Sequence, residues 1–70
     1  MKKRIFLLQQ EYITLQNLLK AEQLVATGGE AKYRITDGEV FVNGVCESRR
    51  GRKLRAGDVV VFEEYEICVE

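Results

Sequence analysis

Five cations fall within seven residues at Arg49-Arg50-Gly51-Arg52-Lys53-Leu54-Arg55. Charges this dense repel one another unless they are solvated or matched by an anion. Guanidinium forks fit phosphate oxygens in shape as well as in sign, so phosphate is their natural counterpart. Gly51 allows close backbone approach and Leu54 offers an apolar anchor. The competing reading is a solvated loop whose cations pair with the five acids of residues 58–70 just downstream. A second group lies at Thr27-Gly28-Gly29-Glu30-Ala31-Lys32-Tyr33. On a helical wheel Tyr33 falls roughly 160–200° from Ala31 and Ile35, which exposes it between Lys32 and Arg34, one turn after Gly29. Such a ring can stack on a base or lie on a ribose, worth about 1–3 kcal/mol per stacked base; its alternative is to pack over Gly29 or a neighbouring loop.

Catalysis finds no residues. The chain has no His, so Ser-His and Cys-His pairs are excluded, and its one serine, Ser48, lies within the basic segment. Glu63 and Glu64 are adjacent, which on a strand turns them to opposite faces. Residues 27–32 lack the Gly-Lys-Ser/Thr ending of a nucleotide-binding loop. Cys46 and Cys68 are 22 residues apart and without His they make no zinc ligand set; they read as small apolar side chains of a reducing cytosol, with a single disulfide as the alternative. No metal or cofactor is expected.

The elements that carry these groups follow from apolar spacing and glycine. Residues 4–8 read as a short strand. Thr14 is a suitable N-cap, and Leu15, Leu18 and Leu19 form the stripe of an amphipathic helix reaching about Gln23. Thr27 and Glu30 fit a capping box, with the Thr27 hydroxyl meeting the Glu30 amide and the Glu30 carboxylate returning to Thr27. This start of a second helix uses part of the anion-binding capacity of its amides. Ala31 and Ile35 face inward, and Gly38 stops the helix. Val40 and Val42 then alternate with Glu39, Phe41 and Asn43, and Asn43-Gly44 marks a hairpin. A return strand spans 45–48, residues 49–55 form a loop or edge ribbon, and strands follow at 59–62 and 66–69 after turns at Gly57-Asp58 and Glu64-Tyr65.

Seventy residues suffice for a single domain, 1–70, with a stability of about 4–10 kcal/mol. So small a core favours surface binding over a carved pocket. The 11 basic and 11 acidic residues cancel overall. The first 57 residues nevertheless hold every Lys and Arg and an excess of five positive charges, and residues 58–70 hold five acids and no base. Screening confines each charge to roughly 8–10 Å, so the local field decides what is attracted. Met1-Lys2-Lys3-Arg4 begins like a secretion signal, but only Ile5 to Leu8 continue it before Gln9-Gln10-Glu11, too few for a signal's apolar stretch. No run spans a membrane, and a cytoplasmic location is expected.

Thr27-Gly-Gly-Glu-Ala-Lys-Tyr-Arg-Ile, then Gly38-Glu-Val-Phe-Val-Asn-Gly44, then Gly57-Asp58-Val59 resemble the RNA-binding domain family named for small-subunit ribosomal protein four. With Arg49-Arg50-Gly51-Arg52-Lys53 the chain looks most like the stand-alone YaaA/YbcJ type. The resemblance implies an α+β fold, two short helices packed on a small, mostly antiparallel sheet of about four to five strands, known as the αL motif. It implies recognition of structured RNA, ribosomal RNA first, with ribosomal proteins as further partners. Helix two and the adjoining loop would make the contacts: Thr27, Gly28, Gly29, Lys32 and Tyr33, with Arg49, Arg50, Arg52, Lys53 and Arg55. The chain departs from the family where Thr14-Leu15-Gln16 replaces Arg-Leu-Asp and where Gly28 replaces an Arg. The basic segment is expected to supply the missing charge, so Arg→Ala there should weaken binding more than Lys32→Ala. If all five cations met phosphates, log affinity would fall against log salt with a slope of roughly −3 to −4.5. The rival is a non-enzymatic protein-interaction or self-association module joining its basic loop to an acidic end.

Overall fold

In the computed structural model, which describes residues 1–70, Leu15, Leu18 and Leu19 bring one face of α1 (Leu15–Ala21) fully into the core. Thr14 caps this helix, accepting from the Asn17 amide at 3.4 Å. Its end differs from the expected Gln23. The chain leaves the helix after Ala21 because Gln23 takes a left-handed conformation (φ 59°), and the amides of Gln23 and Leu24 bond back to the carbonyls of Lys20 and Leu19. That reversal normally uses glycine, so the sequence did not announce it. Helix α2 (Gly28–Thr36) buries Ala31 and Ile35 and ends in the same motif, with Gly38 at φ 84°.

Five strands form the main sheet, in the order β1-β7-β6-β3-β4. These are β1 (Lys2–Phe6), β3 (Val40–Val42), β4 (Val45–Cys46), β6 (Val59–Phe62) and β7 (Tyr65–Val69). All pairs are antiparallel except β1 with β7. Val40, Val42, Val60, Phe62, Ile67 and Val69 line the inner face and meet the two helices in one cluster with Val25 and Leu54. The architecture is therefore α+β, as the resemblance implied, with Asn43-Gly44 turning β3 into β4 through two positive φ angles.

Several boundaries move. The first strand begins at Lys2 and not at residue 4, because Lys2 and Lys3 lie opposite Tyr65 and Glu66 and reach Glu64 and Glu66 as ion pairs. The return strand stops at Cys46, since Glu47 turns its carboxylate toward Arg49 and Arg52. The turn between β6 and β7 lies at Glu63-Glu64, Glu63 with φ 55°, one residue before the expected Glu64-Tyr65, so β7 begins at Tyr65. Glu30 reaches the Ala26 amide at 2.8 Å, one residue before Thr27, while its other oxygen leans toward Arg34. A second sheet was not expected at all. It pairs β2 (Ile13–Thr14) with β5 (Lys53–Leu54), matching Ile13 to Leu54 and Thr14 to Lys53.

Candidate nucleic-acid interface

The basic segment is a built ribbon and not a loose loop. Its buried Leu54 anchors it in the core. The carbonyls of Arg52 and Arg50 accept from the Leu15 and Gln16 amides at 2.9 and 3.0 Å. With Thr14 on Asn17, the donors that open α1 are occupied, so the start of α1 offers no amide to an anion. The ribbon instead presents side chains.

Glu47 organises those side chains. It is the one buried charged residue, and its carboxylate accepts from the Arg49 amide and guanidinium and from the Arg52 guanidinium at 2.9–3.1 Å. The bonds from Arg49, then from Arg52, hold the carboxyl down to about 2. The same pair raises Arg49 above its usual value. Of the expected competitors, the five acids of residues 58–70, three are engaged elsewhere. Glu64 pairs with Lys2, Glu66 with Lys3, and Glu63 with Arg34. Asp58 closes the ribbon by accepting from the Arg55 amide at 2.8 Å and from Asn43 at 3.0 Å. Burial pushes its carboxyl up, and these bonds outweigh that effect and leave it below the ordinary aspartate value.

Of the five cations in the ribbon, Arg50, Lys53 and Arg55 have no ion-pair partner. Lys53 and Arg55 are two apart on one side of the ribbon, and both lie over the Tyr12 ring, at 4.9 and 5.9 Å from its centre. Tyr12 and Glu47 escaped the sequence reading. Glu47 left one signal: it is the sole acid between Glu39 and Asp58. Tyr12 left none, because its partners are some 40 residues away along the chain.

On α2, the Thr27 hydroxyl accepts from the Glu30 amide at 3.0 Å, as its spacing required. A side-chain carbon at Gly28 would meet nothing within 4 Å, and one at Gly29 would touch only the Thr27 hydroxyl at 3.8 Å, so the backbone here is open to approach. Tyr33 is 67% exposed, which removes the alternative of a ring packed within the fold, and Lys32 beside it is exposed and without an ion pair. Arg34 is different. It donates to Glu39 and Glu63, lies near Glu30, and its guanidinium stacks 4.8 Å from the Phe62 ring centre. The bonds to Glu63 and then Glu39 raise its pKa. Arg34 ties α2 to the β6–β7 turn and offers nothing to a ligand. Helix α1 connects the two candidate groups: it packs on α2 and accepts the ribbon at its first turn.

A family model described as the S4 domain matches residues 6–70. The chain is 46% identical over 55 residues to the Bacillus subtilis protein named "Probable ribosome maturation protein RlbA", covering 79% of this chain and 78% of that one. It is 36% identical over 58 residues to the Escherichia coli "Putative RNA-binding protein YbcJ", covering 83% of each.

Proposed function

The chain belongs to the S4 domain family, and on that premise we propose that it is a single, non-catalytic domain that binds structured RNA, ribosomal RNA first. The observation that carries this reading is the ribbon itself: Arg50, Lys53 and Arg55 lack ion pairs on a backbone fixed to α1, while Glu63, Glu64 and Glu66 are held by other cations. The names of the two relatives point the same way, one to ribosome maturation and one to RNA. Fixed cations contact phosphates, and the open surface at Gly28, Gly29, Lys32 and Tyr33 lies against ribose or backbone. Contacts of this kind recognise the shape of folded RNA more than its sequence. Thr27 then holds the start of α2 in place, and Arg49 and Arg52, bound to Glu47, hold the form of the ribbon.

With Arg49 and Arg52 retained by Glu47, three ribbon cations remain for counterion release, and log affinity for a folded RNA should fall against log salt with a slope of about −2 to −3. Filter binding measures this, and a slope near zero excludes phosphate as the ligand. Arg50→Ala, Lys53→Ala and Arg55→Ala should each weaken binding more than Lys32→Ala; equal or smaller losses move the interface off the ribbon. The interaction-module reading loses its main support, since Glu63, Glu64 and Glu66 already pair within the chain. Salt-sensitive self-association without RNA, measured by sedimentation, would restore it.

A further inference from the structure

Beside the ribbon lies a cavity of about 360 Å³ lined by Gln10, Glu11, Tyr12, Ile13, Thr14 and Asn17. That volume is within the roughly 300–1,000 Å³ range of pockets that take small organic groups. Three features define what it could hold. Tyr12, 37% exposed, contributes an aromatic wall, and a ring of this kind stacks on any base because every base has a π-face. None of the side-chain hydrogen bonds of the molecule uses the side-chain carboxamide of Gln10 or Asn17, so each has a donor and an acceptor to offer. Glu11 adds a carboxylate, which accepts hydrogen bonds but repels a phosphate. The anionic part of a ligand is thereby kept outside, where Lys53 and Arg55 flank the same ring.

We propose that this cavity receives one unpaired nucleobase of the bound RNA, stacked on Tyr12 and hydrogen-bonded by Gln10 and Asn17, while Lys53 and Arg55 hold the adjoining phosphates. The inference rests on the RNA-binding reading and deepens it: the ribbon does not merely follow a helical backbone but grips a junction where a single strand leaves the duplex. Bases in such flanks are free to splay out, whereas those inside an RNA duplex are not. Helix α2 and its exposed Tyr33 play no part in this contact.

The test uses the full chain and two labelled RNA hairpins with identical stems. One carries a flank of unpaired nucleotides, and the other carries the same flank as abasic residues, so that both present the same phosphates. The chain should bind the base-bearing hairpin about 5- to 150-fold more tightly, the range a stacked base supplies. Tyr12→Ala should abolish that preference, and Tyr12→Phe should keep it. Should Tyr12→Ala fail to fold, the double change Gln10→Ala with Asn17→Ala, at two exposed positions, should reduce the preference instead. Equal affinity of the unaltered chain for the two hairpins overturns the proposal, as does a preference that survives these changes. Binding to both hairpins with no preference leaves the RNA-binding reading intact, whereas binding to neither removes both.

Discussion

Glu47 shows how one buried residue sets the form of a basic surface. A buried carboxylate without partners would be costly, and here two guanidinium groups and an amide satisfy it, so its removal leaves the ribbon unsupported. Its titration gives a direct test. In the unfolded chain the group ionises near its ordinary 4.5, and in the folded chain near 2. Above 4.5 it is charged in both states and its stabilisation is complete. As the pH falls from 4.5 toward 2, the unfolded chain takes up a proton that the folded chain does not, and that stability is lost. Urea midpoints measured across this window should fall steeply for the native chain and more gently for Glu47→Gln, which should also start from a lower midpoint at neutral pH. Parallel curves for the two proteins would show that the clasp carries no stability.

At the scale of elements, the two helices end alike by different means. Gly38 adopts its left-handed conformation without a steric cost, whereas Gln23 adopts the same region with a β-carbon. Gln23→Gly should therefore stabilise the chain by up to about 1 kcal/mol, and Gly38→Ala should destabilise it by about 1–2 kcal/mol. In a domain of this size each kcal/mol moves the melting temperature by roughly 4–8 °C, within reach of a calorimetric scan. The same pair shows what could be read in advance. Thr14, Thr27, Gly38 and Asn43-Gly44 were legible because their chemistry acts on neighbours a few residues away. The stop at Gln23 was not, because hydrogen bonds to Leu19 and Lys20 impose it on a residue with no preference for it. The β2–β5 pair was also hidden, since two residues per strand are too few to show alternation and their partners are distant in sequence. The positive character of residues 49–55 was visible at once, but which of the cations remain unpaired depended on Glu47 and Tyr12 meeting them in space.

For the molecule as a whole, the division between a basic body and an acidic end turns out to be internal. Three of the five acids return to β1 and α2, and what remains exposed is a smaller set of cations concentrated on the ribbon. Only 14 of the 70 residues are buried, so few side chains hold this arrangement. Leu18, fully buried between α1 and the sheet, is among them. Leu18→Ala should cost about 2–5 kcal/mol, a large part of the roughly 4–10 kcal/mol available. Circular dichroism should show a melting point lowered by at least about 8 °C, the least that this loss implies, and a smaller drop would mean that the cavity collapses. The sheet order also bears on how the chain is made. Strand β1 is synthesised before all the others, yet its sole partner is β7, the last of the seven to emerge, and β7 in turn joins β1 to β6. Strand β1 therefore stays unpaired until β7 has left the ribosome. Lys2, Lys3 and Arg4 give that waiting strand a charge that discourages pairing with another nascent chain.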